Sequence, residues 1–309
     1  KAKNSYVSAG NLHLLPFLKS FLKKFLIKSP LLKDEGDLLY LNKILDANNI
    51  NDRKILNIYK PVGISPLDAI KALKEKYPEL KGEKITYAGR LDPLAEGTLL
   101  ILIGKAVYEK EKYLKLDKEY EAEILFGFNT DTYDILGLSK KNRLSTSISR
   151  TVLDIEIKKL EGNISLPLPP YSSYKIKSKP LFQWAREGKL DEVEIPTRKT
   201  KIFSAELLNF DEISGQKLLE TIEQKIKLIK GDFRQKEILN RWQKMLPELC
   251  SSSKMVTFWI AKIKINCSSG TYIRSIAHHL GKKIKTGGVI LSLTRTKVGD
   301  FEIKDSLQI

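Results

Sequence analysis

Cysteine is nearly absent: Cys250 and Cys267 are the only two in 309 residues, and Cys267 falls inside a strand-like alternation. That leaves no material for a disulfide framework or a thiolate metal cage. Histidine is almost as scarce, at His13, His278 and His279. The adjacent pair points to different faces of a helix and no acid or thiol stands at ligand spacing, so no metal site is expected. No apolar run is long enough to span a membrane, and neither a Gly-rich dinucleotide fingerprint nor a serine elbow occurs. Gly104-Lys105 follows an apolar strand, but Ala106 stands where a phosphate loop needs Ser or Thr, and Gly97 lies too far back.

Acid is missing altogether from Lys1 to Lys33. Within that stretch Phe17, Leu18, Phe21, Leu22, Phe25 and Leu26 recur at helical spacing with lysines between. A targeting remnant, a membrane-surface helix, an RNA-contacting helix and a helix packed on the main domain all fit this pattern. Over the whole chain 54 Lys+Arg face 37 Asp+Glu, a formal charge of +17. A surplus spread so widely points to a polyanion partner, nucleic acid before an acidic membrane surface, with a merely Lys-rich proteome as the plain alternative.

What is present is organised from Ile55 onward. Ile55–Tyr59 reads as a strand and Lys60-Pro61-Val62-Gly63 as a turn. Ser65 caps a helix with Pro66 at its first position and Ala69, Ile70, Leu73 and Tyr77 along one face. Leu99–Ile103 is a buried strand. Tyr120, Ala122, Ile124 and Phe126 alternate with Glu121 and Glu123, and Trp259 to Cys267 alternates likewise. Ser268-Ser269-Gly270 then leads to a helix with Ile273, Ile276, Ala277 and Leu280 inward and Gly281 as its expected stop. Strands and helices mix without strict alternation, which favours an α+β fold. From about Asp211 to Lys254 two basic amphipathic helices, broken at Gly231-Asp232, read as a helical hairpin insertion. The expected division is a basic extension over 1–52 and one catalytic domain over 53–309 that contains the hairpin.

One carboxylate stands out. In YAGRLDPLAEGTLLILIG, Asp92 sits between Leu91 and Pro93 just before the chain enters its apolar strand, with Arg90 two positions earlier. It has company in Lys118-Glu119-Tyr120, in Gly127-Phe128-Asn129-Thr130-Asp131-Thr132-Tyr133-Asp134, and in Cys267-Ser268-Ser269-Gly270-Thr271-Tyr272-Ile273-Arg274. In that order these blocks resemble the bacterial tRNA pseudouridine-55 synthase (TruB-type) family. Lys60-Pro61 with Gly63 and Ser65 fits its entrance motif. Pro170-Tyr171-Ser172 with Lys175, then Ala185-Arg186 and Gly188, fits its middle block. Leu293-Thr294-Arg295 with Gly299 and Phe301 fits its last.

The resemblance implies a pseudouridine-synthase-like fold, with a mixed, mostly antiparallel sheet flanked by helices. It also implies an enzyme that isomerises uridine in the T arm of tRNA; a cytoplasmic location is expected, or an organelle if the basic segment is a targeting remnant, with the oligomeric state left open and a monomer favoured. Isomerisation involves no redox step and no phosphate donor, so no cofactor is expected. The chemistry calls for an ionised carboxylate in a water-poor pocket, and such a group stays ionised most readily beside a cation. The resemblance assigns these roles to Asp92 and Arg274. It stacks Tyr120 on the flipped base, and it makes Tyr87, Arg90, Lys60, Tyr272, Leu293 and Lys175 substrate-binding residues, Leu293 completing an apolar wall. Thr130, Asp131 and Asp134 read as turn formers.

Three departures stand against the pattern. Tyr87 replaces a histidine, Leu168 a proline and Phe182 a tyrosine. The C-terminal RNA-binding module common in the family is expected to be absent, its grip supplied instead by the basic extension and the hairpin. Two alternatives remain open at this level: a catalytically idle RNA chaperone or ribosome-assembly factor, and a synthase for another RNA.

Overall fold

The first element that the computed structural model describes is a strand, β1 (Arg53–Lys60); the residues described are 53–142, 148–250 and 256–309. The amphipathic segment expected between Phe17 and Leu26 lies outside them. Among the described residues seven α-helices accompany one ten-stranded sheet and two small hairpins.

After β1, Ser65 caps helix α1 (Pro66–Lys76). Its hydroxyl accepts from the Asp68 amide at 3.2 Å while Asp68 Oδ2 accepts from the Ser65 amide at 3.1 Å, a reciprocal box that satisfies donors otherwise orphaned at a helix start. Ala69, Ile70 and Leu73 face inward, as the spacing requires. Then come β2 (Ile85–Ala88), β3 (Ala95–Gly104), the short α2 (Lys110–Leu114) and β4 (Lys118–Phe126). Helix α3 (Arg150–Lys158), β5 (Gly162–Pro167), α4 (Leu181–Arg186) and the long β6 (Thr197–Ser214) follow. Helices α5 (Gly215–Leu228) and α6 (Gln235–Cys250) precede β7 (Thr257–Cys267), α7 (Ile273–Lys283), β8 (Gly288–Val298), β9 (Phe301–Glu302) and β10 (Leu307–Gln308).

The sheet runs β10-β1-β3-β8-β4-β7-β6-β5, with β2 added to β3 and β9 to β8. Only β1/β10 and β3/β8 are parallel pairs; the fold is the α+β, mostly antiparallel arrangement expected. Alternation divides the core. Tyr120, Ala122, Ile124 and Phe126 of β4 meet α3 and α7 on one face, through Leu153, Ile157, Ile276 and Leu280. On the other face Leu125, Phe258, Val289 and Leu291 meet the hairpin α5–α6, with Trp242 fully buried against Phe128.

Three local readings change. β3 starts at Ala95 rather than Leu99, because Ala95–Gly97 pairs with Leu293–Arg295 of β8; Gly97, at φ 107°, permits that approach, since a Cβ there would lie 2.3 Å from the Arg295 carbonyl oxygen. Residues 211–214 finish β6, paired through Ser214 with Thr257, and the helices of the insertion begin at Gly215. Gly281 does not stop α7. It lies inside the helix where a Cβ would come within 2.1 Å of the Gly288 amide, so its role is close helix–strand packing.

Candidate active site

The turn from β2 to β3 carries Asp92, and its shape is held from behind by a buried arginine. Arg295, on β8 and 1% exposed, donates from Nε to Thr98 O (2.8 Å), from one terminal nitrogen to Gly89 O (3.1 Å) and from the other to Arg90 O (3.4 Å). The turn closes with Ala95 N donating to Asp92 O at 3.0 Å, and Gly63 N of the entrance loop donates to Pro93 O at 2.8 Å. An acid placed where the backbone dives into the core is thus fixed on both sides, yet its own side chain stays 35% exposed.

The cation comes from the far end of the sequence. Strand β7 ends at Cys267, and α7 starts after the Ser268–Tyr272 turn, pinned to β5 by Ser275 Oγ donating to Pro167 O at 2.6 Å. That puts Arg274 in the first turn of α7, buried, with Nε 2.9 Å from Asp92 Oδ2. The remaining guanidinium nitrogens donate to Thr132 O (2.8 Å) and Tyr171 O (3.3 Å). Burial alone would lower the Arg274 pKa, but Asp92 and Asp134 together hold it above the ordinary range.

Asp134 is the residue that sequence reasoning passed over. It is buried, its Oδ2 lies 3.7 Å from Arg274 Nε, and its Oδ1 accepts from Thr132 Oγ1 (2.7 Å) and Leu136 N (3.0 Å). Burial pushes its pKa up to about 6 against the opposing pull of Arg274. Its neighbour Tyr133 takes a left-handed φ of 65° and stacks on His278 of α7 at 4.0 Å between ring centres. The only available signal was a second acid in a turn-forming run, and turn residues are common enough to mask it.

These groups open on a cleft of about 690 Å³. Tyr120 and Leu293, each 8% exposed, form its apolar floor from adjacent strands β4 and β8. Burial raises the Tyr120 phenol above its usual pKa, against the opposing pull of the Arg295 charge. Tyr272 lies on the wall and Arg90 on the exposed rim, with Lys115 and Arg198 also lining the cleft. Among the described residues Arg90, Lys115 and Arg198 have no ion-pair partner; Arg198 instead rests against the Gly270 backbone.

Three of the expected substrate-binding residues are not brought to the cleft. Lys60 is fully buried, its ammonium donating to Pro61 O (2.8 Å) and Ile64 O (2.9 Å), and burial pulls its pKa down to about 8; it ties the entrance loop together. Tyr87 faces elsewhere, with the Lys110 ammonium 5.3 Å from its ring centre. Lys175 is exposed on the small 175–180 hairpin. For Lys60 and Tyr87 it is a competing backbone or neighbour contact that decides the position, and neither contact is signalled by spacing.

A family model described as TruB family pseudouridylate synthase (N terminal domain) matches residues 76–233. The tRNA pseudouridine synthase B of Endomicrobium trichonymphae is 33% identical over 263 residues, covering 84% of this chain and 90% of that protein. The protein of the same name from Caldicellulosiruptor saccharolyticus is 31% identical over 257 residues, covering 82% and 70%. Among solved structures, an H/ACA RNP bound to a substrate RNA containing 2′-deoxyuridine is similar with a TM-score of 0.46 and 19% identity; the match covers 80% of this chain and 48% of that one. With the domain match across about half its length and relatives above 30% identity over most of it, the chain belongs to the TruB family of pseudouridylate synthases, enzymes that isomerise uridine to pseudouridine.

Proposed function

We propose that this protein converts uridine 55 in the T arm of tRNA to pseudouridine, acting on a nucleotide extruded into the cleft. The observation that carries the reading is the 2.9 Å Arg274–Asp92 pair at the mouth of a cleft floored by Tyr120 and Leu293. Names of the relatives support the substrate. In the reaction the bond from ribose C1′ to N1 breaks, the base turns, and C1′ bonds to C5. The C5 proton leaves and N1 gains one, so atoms balance without donor or acceptor.

Asp92 is the nucleophile. Its Oδ2 is engaged by Arg274, while Oδ1 has no hydrogen bond among the described residues and is available to the sugar or the base. Arg274 orients the carboxylate, and Thr132 O and Tyr171 O fix the guanidinium plane in turn. Tyr120 receives the face of the base, offsetting the stacking lost on extrusion by about 1–3 kcal/mol. Leu293 closes the apolar floor and excludes water, and Arg90, Arg198 and Lys115 attract the phosphates around the opening. Residues 53–309 carry the catalysis, and the extension, acid-free from Lys1 to Lys33, adds electrostatic grip.

Asp92→Asn tests the assignment: tRNA binding persists while pseudouridine, mapped by chemical labelling, disappears. Conversion by that variant at the wild-type rate would overturn it. A second reading keeps the chemistry and changes the RNA stem-loop; it is favoured by Tyr87, which replaces the expected histidine and is held away from the cleft under Lys110. Label in the T arm, or in another RNA incubated alongside, chooses between them.

A further inference from the structure

The insertion does more than cover a sheet face, because the turn between α5 and α6 reaches the cleft. Gln235 stiffens that turn: its Nε2 donates to Ile229 O (3.1 Å) and Gly231 O (2.6 Å), and its Oε1 accepts from Phe233 N (2.9 Å). Two outside anchors hold it. Lys230 N donates to Gly63 O of the entrance loop at 2.7 Å, and Arg186 of the middle block donates to Asp232 O at 3.0 Å. At its end Arg234 takes a left-handed φ of 62°, a conformation that side-chain-bearing residues seldom adopt. One of its nitrogens lies 2.9 Å from Asp131 Oδ2, and its guanidinium carbon sits 4.5 Å from the centre of the Tyr171 ring. Tyr171 O is the carbonyl that receives Arg274. Phe233, Arg234, Arg186, Phe182 and Tyr171 therefore make a continuous aromatic and basic wall on the cleft.

Holding a hairpin on a sheet does not require such a wall. The hairpin already buries Leu218, Ile222, Ile226, Ile238, Trp242 and Leu246, and a part-exposed ion pair adds little to stability. A guanidinium stacked on a tyrosine keeps its remaining donors in one plane at the edge of the ring, a geometry suited to a phosphate. Asp131 pairs with Arg234, whereas Arg186 has no ion-pair partner among the described residues and donates only to the Asp232 carbonyl, so one guanidinium is left to meet a phosphate.

We propose that the turn of the insertion is a subsite for the RNA strand beside the extruded uridine, with Arg234 and Arg186 on a backbone phosphate and the Phe233 ring against a neighbouring base. The subsite rests on the reading that the cleft takes RNA, so binding must be measured apart from turnover. The full chain is titrated with tRNA transcript at several KCl concentrations, as wild type and as Arg234→Gln, Arg234→Lys, Phe233→Ala, Arg186→Gln and Lys217→Ala.

Arg234→Gln should weaken binding and reduce the magnitude of the log Kd–log salt slope by about one, while its single-turnover rate at saturating RNA stays near that of wild type. Arg234→Lys, which keeps the charge, should restore the slope. Phe233→Ala should weaken binding roughly 5- to 150-fold with the slope unchanged. Lys217→Ala, on the solvent side of α5, should change neither. Should Arg234→Gln unfold early, Arg186→Gln gives the same slope test. An unchanged slope and affinity in both arginine variants would overturn the subsite, as would loss of the saturating rate with binding intact, which assigns Arg234 to holding the Asp131 loop. If the wild type binds as described but makes no pseudouridine, the functional reading fails and the subsite stands.

Discussion

Replacing Arg274 with Met keeps the length of the side chain and removes its charge. The guanidinium is 7% exposed and serves Asp92, Asp134, Thr132 O and Tyr171 O together. Breaking a buried pair of this kind costs about 3–5 kcal/mol, and the loss has a defined pH dependence. Asp134 already ionises at about 6 in the folded protein, against 3.8 ordinarily, because burial outweighs the pull of Arg274. A carboxyl raised on folding stabilises the fold most below its unfolded pKa, and that contribution is lost as pH rises through the folded value. For the wild type the loss amounts to about 3 kcal/mol between pH 3.8 and 6. Without Arg274 the folded pKa moves higher, so the decline continues to higher pH. The gap between variant and wild type should therefore be wider at pH 8 than at pH 5. Urea unfolding followed by tryptophan fluorescence at those two values reads the gap. Turnover should fall about a thousandfold, the rate equivalent of about 4 kcal/mol, in a single-turnover pseudouridine assay. A variant within about 1 kcal/mol of wild type at both pH values, or a gap that narrows as pH rises, would refute the reasoning.

Other outcomes follow from the same contacts. Asp134→Asn should flatten the decline in stability between pH 4 and 6 while slowing turnover, since Arg274 loses one of two carboxylates; unfolding midpoints against pH, with the rate assay, check both. Tyr120→Phe should keep tight binding of the flipped base and Tyr120→Ala should lose about 1–3 kcal/mol of it, measured by single-turnover rate against RNA concentration. Trp242→Ala should cost about 3–5 kcal/mol, because the ring is fully buried against Phe128 and its Nε1 donates to Ile135 O at 3.2 Å; thermal unfolding tests this. Cys267, buried and with its thiol pushed up to about 11 by desolvation, should resist alkylation under native conditions and react once urea unfolds the chain.

Much of the site was legible because several of its parts are local. Ser65-Pro66 starts a helix wherever it occurs before an apolar periodic run, and Tyr120–Phe126 must alternate faces as a strand. Asp92 stood out as an acid just ahead of a buried strand, whereas Arg274 was assigned by the resemblance to a known family. Arg295 stood in a quoted motif, but nothing around it in sequence said that its guanidinium would turn inward onto Gly89 O and Arg90 O. Lys60 shows the converse: a lysine in a turn is ordinarily solvated, and only the two carbonyls converging on it explain its burial.

The amino-acid order by itself determined the alternation of the strands, the capped helix, the basic surplus and the basic hairpin, because propensity, period and charge act over a few residues; the pairing of Asp92 with Arg274 came only from the resemblance to a known family. The tertiary structure alone decided that Asp134 shares the guanidinium of Arg274, that the insertion's turn closes one side of the cleft, and that Tyr87, Lys60 and Lys175 stand away from it. Those outcomes depend on burial and on contacts between positions as far apart as the 142 that separate Arg274 from Thr132. A charge's protonation and reach are set by what surrounds it in three dimensions.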